Sequence, residues 1–203
     1  MTDRKNAIAA NIQLHTQLAS QYRQAEPHYR PENIARVASN LRSFMHNAPE
    51  KSLLDVGCGM GFILDIAKPM FDRIVGIDIT PAMLEKVDQS GAKGSLTLEL
   101  SQVEEMKFAN DSFGVCTAYA VLHHLHELKP AFREIFRVLK PGGIFYSDTD
   151  PNSHFWKAFS ELSDDGAYSD IVRRELHAVK YKDQELEASF GISPALLRAA
   201  EHL

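Results

Sequence analysis

Asp55, Gly57, Gly59 and Gly61 stand at alternate positions and follow directly on the apolar pair Leu53-Leu54. Glycine lets the main chain take positive φ and lets a ligand approach bare backbone. Apolar residues then return at helical spacing (Phe62, Ile63, Ile66, Ala67), so amides of a helix N-terminus would face whatever binds there. A second carboxylate, Asp78, ends the next apolar run. It lies about twenty residues beyond the first glycine, a place from which an acid accepts hydrogen bonds from two ribose hydroxyls. The pair His123-His124 adds imidazoles that titrate close to neutral pH and suit proton removal. His126 is near them, but the spacing of the three fits no standard metal site.

These groups need a scaffold, and the periodicity of the chain predicts one. Helices are expected over 7–22, on an apolar row of Ile8, Ile12, Leu18 and Tyr22 with Leu14 off it, and over 32–46, separated by a break from Gln24 to Pro31. From residue 51 strands and helices alternate. Strands are predicted at 52–56, 73–78, 95–100, 113–119 and 144–147. Helices are predicted at 62–67, after Thr80-Pro81 with the threonine as cap, and at 128–139 with Phe132, Ile135, Phe136 and Leu139 on one face. Pro141-Gly142-Gly143 reads as the turn into the last strand. Repeated β-α-β units give a parallel sheet covered on both faces, with ligands bound outside the carboxyl ends of the strands. Beyond residue 150 the pattern is helical and charged, and Ala178 to Tyr181 is the one faint strand candidate.

The glycine loop admits several readings. A P-loop needs Lys-Ser/Thr after its last glycine, where Phe62-Ile63 stand. A dinucleotide fingerprint needs its third glycine where Phe62 stands. A glycine-rich turn that holds no ligand is the plain alternative. The spacing D-x-G-x-G-x-G resembles motif I of the class I S-adenosylmethionine (SAM)-dependent methyltransferases. Three more stretches are similar to that family: Val103 to Phe108 after strand 3, Ala120 to Leu125 after strand 4, and Arg137 to Gly143 before strand 5. The resemblance covers about residues 50–150. It is to the branch that contains ubiquinone/menaquinone-biosynthesis methyltransferases and many small-molecule methyltransferases.

That resemblance implies a Rossmann-like three-layer α/β sandwich with a mainly parallel sheet ordered 3-2-1-4-5. It implies a domain plan of an N-terminal helical cap (1–48), a SAM-binding core (49–150) and a mostly helical C-terminal segment (151–203). The family's closing antiparallel hairpin is not found before Leu203. The implied activity is methyl transfer from SAM to a small-molecule acceptor by in-line displacement, leaving S-adenosylhomocysteine (SAH). Asp55 would meet the donor's methionyl amino group, with Gly57, Cys58 and Gly59 giving backbone approach. Asp78 would hold the ribose, Ile79 and Met83 the adenine side, and Gln102 and Val103 its edge. Ala120 would lie beside the sulfonium and Tyr22 over the amino-acid end. Certain relatives pair two histidines with an acid after strand 5, so His124, His123 and Asp148 are the candidate base and its support. The sequence departs from the family pattern at Gln102, Lys107 and Gly114, where the family usually has Asp, Pro and Asp. Two rival classes stand beside this one. A non-catalytic binding or assembly protein of the same fold is motivated by Gln102 and the missing hairpin. An NAD(P)-dependent oxidoreductase is opposed by Phe62 and by the lack of a Tyr-x-x-x-Lys pair.

Composition bounds the remaining choices. With 203 residues, 44% apolar and 24% charged, the chain suits one ordinary globular core rather than a disordered segment. A net charge of −5 with no Lys/Arg cluster argues against nucleic acid as a partner. Cys58 and Cys116 form no C-x-x-C pair and read as reduced, packed residues. No apolar signal core opens the chain and no stretch is long enough to span a bilayer, so a cytoplasmic location is expected. Nothing here sets the oligomeric state, a dimer being one option, or the acceptor.

Overall fold

The computed structural model describes residues 4–201 apart from 164, 181–183, 185, 186 and 190. Its elements are α1 (Arg4–Leu18), α2 (Tyr22–Ala25), α3 (Pro31–Asn47), β1 (Ser52–Val56), α4 (Phe62–Ala67), β2 (Arg73–Asp78), α5 (Pro81–Leu84), β3 (Ser95–Leu100), β4 (Phe113–Tyr119), α6 (Leu128–Val138), β5 (Leu139–Asp148), α7 (Ser153–Ser160), α8 (Asp170–Lys180) and α9 (Pro194–Glu201). The five strands form one parallel sheet in the order β3-β2-β1-β4-β5. This is the Rossmann-like arrangement that the family resemblance implies. Among the described residues no strand lies beyond β5.

The central strands carry apolar residues on both faces because helices cover both. β1 is buried along its whole length, and successive side chains point to opposite faces. Leu53 joins one layer with Val37 and Leu41 of α3 and Ile63, Leu64 and Ala67 of α4. Leu54 and Val56 join the other layer with Ala131, Ile135 and Val138 of α6. The polar Asp55 alone breaks the run, and it does so at the carboxyl end of the strand.

Several elements differ from the sequence expectation. The first helix begins at Arg4 and stops at Leu18, and its buried row is Ala7, Ala10, Leu14 and Leu18. Leu14 is therefore on the core side, and Ile8 and Ile12 are not, because small alanines let another helix approach closely. That helix is α9: Ile192, Leu197 and Ala200 pack with Ala10, Leu14 and Leu18 in one cluster. Pro31 opens α3 from its first turn, where a missing N–H costs nothing. The helix after Thr80 is a single turn, and Thr80 makes no side-chain cap bond. On α6 the buried row is Ala131, Ile135 and Val138, whereas Phe136 is 83% exposed. β5 runs straight through Pro141-Gly142-Gly143, with a register shift against β4 between Phe113 and Val115 that absorbs the extra residues. Ala178 to Lys180 end a helix rather than form a strand. Tyr181 lies outside the described residues.

Candidate functional site

A cavity opens at the carboxyl ends of β1, β2 and β4, roofed by α1, α2 and the turn that follows α2. Its floor is the loop from Gly57 to Gly61. Gly57, Gly59 and Gly61 take φ of 66°, 51° and 88°, the left-handed region that side chains disfavour. The loop is held to the next strand by the Cys58 N–H, which donates to the Ile77 carbonyl at 2.9 Å. Asp78 fixes it further. Its Oδ2 accepts from the Gly59 N–H and its Oδ1 from the Thr80 N–H, both at 2.8 Å. A carboxylate offers about four acceptor positions, so two remain for a ligand.

Gly57 and Gly59 have separate reasons to be glycine. A Cβ on Gly57 would lie 2.2 Å from Val121 Cγ2, inside the packed layer. A Cβ on Gly59 would meet nothing within 4 Å, and Gly59 lines the cavity, so the methyl would take space a ligand needs. Gly57→Ala is expected to destabilise the fold by roughly 2–4 kcal/mol, from overpacking and left-handed strain together. Gly59→Ala should cost only about 1 kcal/mol of stability yet lose ligand binding. Denaturant melts set beside calorimetric titration with SAH check both, and equal stability of the two variants would contradict the distinction.

Asp55 sits under this loop, 2% exposed, with Thr117 Oγ1 donating to its Oδ1 at 2.7 Å. Burial pushes its carboxyl up to about 7, the Thr117 hydrogen bond works against that, and the charge of Asp78 adds to it. Asp55, Asp78 and Glu104 line the cavity, and among the described residues no Lys or Arg does. The site therefore suits a cation.

The opposite wall is aromatic. Tyr22, His28, Tyr29, Phe62 and Tyr119 all line the cavity. His28 is buried at their centre, with ring centroids 4.7 Å from Tyr29, 5.0 Å from Phe62 and 5.7 Å from Tyr22 and Tyr119. Burial and the charge of Glu26 raise the Tyr22 phenol well above its ordinary range, with Tyr29 and Asp78 adding to it. Among the described residues the Tyr29 hydroxyl is buried without a hydrogen-bond partner. A buried orphan donor costs roughly 1–3 kcal/mol, so a polar ligand atom beside it would recover that energy. Ala120, in the left-handed region at φ 53°, turns the chain out of β4 beside the same space.

Two arginines fasten the roof. Arg4 Nη2 donates to Gln102 Oε1 at 3.1 Å and lies 3.7 Å from carboxylate oxygens of Glu104 and Glu105. At the other end Arg23 Nη2 donates to the Met60 carbonyl at 3.3 Å and to Asp65 at 3.0 Å. Gln102 is thereby engaged by the roof through its side-chain oxygen.

The histidines fall into two settings. His124 lines the cavity, as do His15 and His126. The His124 ring meets His15 edge-on at 4.9 Å and tilts against His123 at 4.0 Å. His123 does not line the cavity. Its Nδ1 lies 2.7 Å from Asp150 Oδ1, and its main-chain N–H donates to the same oxygen at 3.2 Å. Asp148 points elsewhere, accepting from Arg36, from the Tyr146 hydroxyl and from the Thr149 N–H. Burial alone would raise the Asp148 carboxyl, but the bonds from Tyr146 and Arg36 hold it below its usual value. The acid beside the histidine pair is thus Asp150, two residues beyond the expected one.

Tyr22, Asp55, Gly57, Cys58, Gly59, Asp78, Ile79, Gln102, Val103, Ala120 and His124 are brought together around one space. Met83 is not among them. It is 1% exposed and packs behind the cavity wall with Ala19 and Met60. Sequence reasoning did not single out Asn11, His15, His28 or Tyr119. Each is a lone polar or aromatic residue on a helix or strand, with no spacing to mark it.

A parallel 3-2-1-4-5 sheet with a glycine loop after β1 and an acid at the tip of β2 is the arrangement of class I methyltransferases. Residues 54–147 match the family model described as a methyltransferase domain, so the core of this chain is a methyltransferase-fold domain. The chain is similar to a demethylmenaquinone methyltransferase of Symbiobacterium thermophilum, 33% identical over 59% of this chain and 54% of that protein. It is also similar to a sterol 24-C-methyltransferase of Aspergillus fumigatus, 34% identical over 61% of this chain and 34% of that protein. The solved structure of YcgJ from Bacillus subtilis shares the fold, with a TM-score of 0.53 and 24% identity over 62% of this chain and 56% of that one. The chain spans about half or less of the length of these relatives.

Proposed function

We propose that the protein is a SAM-dependent methyltransferase acting on a small-molecule acceptor. The observation that carries this reading is the joint arrangement of open main chain at Gly59, the Asp78 carboxylate bound to that same loop, and a cavity whose ionised lining is acidic. The residues fit the donor part by part. Asp78 has two acceptor positions for ribose hydroxyls. Asp55 and the aromatic wall suit the positive charges, the rings through cation–π attraction. The orphan Tyr29 hydroxyl suits a polar atom at the amino-acid end. Bound there, the donor supplies a methyl carbon carrying a good leaving group.

This chain's residues then have three tasks. The roof of α1 and α2 excludes water, and the loop and Asp78 fix the reacting carbon against the acceptor, so alignment supplies most of the rate. If the acceptor loses a proton, His124 takes it, since it alone of the histidine pair lines the cavity. The neighbouring His123–Asp150 pair holds that end of the wall. The domain plan of cap, core and helical tail is part of this reading, the cap and tail acting together as the roof. The names of the relatives, sterol and demethylmenaquinone methyltransferases, favour an uncharged acceptor, in keeping with a cavity that no Lys or Arg lines among the described residues.

The test is calorimetric titration with SAM and SAH, followed by a metabolite screen with isotopically labelled SAM. Micromolar binding of both and transfer of label support the reading, and failure to bind either ends it. For a hydroxyl acceptor, His124→Ala is expected to lower kcat by about 100-fold or more while SAH affinity changes little. Loss of both in parallel would remove His124 as the base.

A further inference from the structure

His124 does not stand free in the cavity wall, and what it touches comes from the far end of the chain. Its Nδ1 lies 3.2 Å from the main-chain carbonyl oxygen of Ala200. A carbonyl oxygen only accepts, so Nδ1 carries the proton and Nε2 of the neutral ring carries the lone pair. The same carbonyl accepts from Asn11 Nδ2 at 3.3 Å. Ala200 belongs to α9. Two side chains from separate elements thus meet one carbonyl of that helix, and both line the cavity.

We infer that α9 is a positioning element for His124: through the Ala200 carbonyl it fixes the ring in the Nδ1–H tautomer and leaves Nε2 as the basic nitrogen. The inference rests on the reading of His124 as base only for its consequence, since the tautomer itself is a property of the protein without substrate. It gives α9 the role that an acid plays behind a catalytic histidine, orienting the ring and selecting which nitrogen is basic. As the acceptor oxygen bonds to the methyl carbon, the donor's carbon–sulfur bond breaks with its electron pair left on sulfur, and the proton of the broken O–H bond goes to Nε2. The ring is then an imidazolium with both nitrogens protonated, and the Ala200 carbonyl oxygen faces it. His15 shares the pattern. Its Nδ1 is 3.0 Å from the Asn11 carbonyl and its ring abuts His124. Asn11 therefore meets the His15 ring through its backbone carbonyl and shares the Ala200 carbonyl with the His124 ring.

The position of α9 depends on apolar packing at a distance from the histidine. Leu197 is 2% exposed and packs in one cluster with Leu14, Leu18 and Ala200. Leu197→Asp should release α9, and Leu197 itself does not line the cavity. Asn11→Ala removes one of the two bonds to the carbonyl and keeps the packing.

The experiment is long-range 15N–1H correlation on the full-length protein, with His124 assigned by comparison with His124→Gln. The wild type is expected to show His124 as the Nδ1–H tautomer, with a pyridine-type Nε2. In Leu197→Asp, with release verified by a shift of the Ala200 amide, the ring should move toward the Nε2–H form that solvated imidazoles favour. Asn11→Ala should give a smaller change in the same direction. A wild-type His124 protonated on Nε2, or a tautomer unchanged once α9 is released, would overturn the inference. Failure of SAH to bind would end the methyltransferase reading and leave the tautomer result standing. Where an acceptor is known, Leu197→Asp should lower kcat at least tenfold at neutral pH and shift the acidic limb of the kcat profile. A role confined to stability would leave that limb unmoved.

Discussion

Asp78→Ala is expected to weaken SAH binding by about 100-fold or more while the protein still folds. The carboxylate serves two sides at once. It accepts from the Gly59 and Thr80 main-chain N–H groups and keeps two positions for a ribose. Hydrogen bonds to a charged group contribute roughly 1.5–3 kcal/mol each, and two of them account for a hundredfold at about 1.4 kcal/mol per decade. The loop amides also lose the acceptor that orders them, so the ligand would meet a looser cradle. Asp78→Asn should fall between wild type and alanine, because the amide nitrogen must face one of two N–H donors. Calorimetric titration decides the matter, and an alanine variant that binds SAH within threefold of wild type would show that Asp78 holds no ribose.

The second large effect concerns pH. The ligand-free protein is expected to lose stability as pH rises from about 4 to about 8, and Asp55→Asn should remove most of that slope. Asp55 titrates near 7 in the folded chain, while an unfolded aspartate titrates at about 3.9. Between those values the folded state binds more protons than the unfolded state, so stability falls with rising pH across that window. The difference corresponds to an order of 2–4 kcal/mol at about 1.4 kcal/mol per pH unit. Asparagine stays neutral and can still accept from Thr117, so the variant should be more stable than wild type at pH 8.

Ligand binding runs the other way. A cation needs the ionised carboxylate, so donor affinity in the wild type should fall below pH 7, and binding there should release a proton. Asp55→Asn should bind weakly at every pH. Denaturant melts from pH 5 to 8.5, with titrations in two buffers of different ionisation enthalpy, test both halves. Parallel pH profiles for wild type and variant would refute the assignment.

The sheet was readable because its signals are local. β1, β2, β3 and β4 and the helix after the glycine loop have the bounds that apolar runs and turn residues mark. β5 was read short because Pro141-Gly142-Gly143 is a turn signal in sequence, while in space a shift against β4 carries the strand through it. On α1 and α6 the large apolar residues do not mark the buried face. Tertiary packing chose alanines on α1, and it left Phe136 outside on α6.

For the site, the glycine loop and its acid were legible because one turn and one strand tip define them. The roof was not. Tyr29, His28 and His15 meet the loop only after α1, α2 and the intervening turn fold back over it, and no spacing rule spans that distance. The choice between Asp148 and Asp150 as the acid beside the histidines was also closed to sequence. Both follow β5, and only the path of the chain beyond it turns one toward Arg36 and the other toward His123.

The pairing of α1 with α9 sets an order of assembly. Asn11 and Ala200 are 189 positions apart, and everything between them must be synthesised before their contact can form. During translation all five strands are therefore synthesised before α9 can join α1. Contacts of such long span repay their closure entropy last. The same contacts are the first to break in local opening, so amide deuteration should begin in α1 and α9 and reach β1 and β4 only on global unfolding.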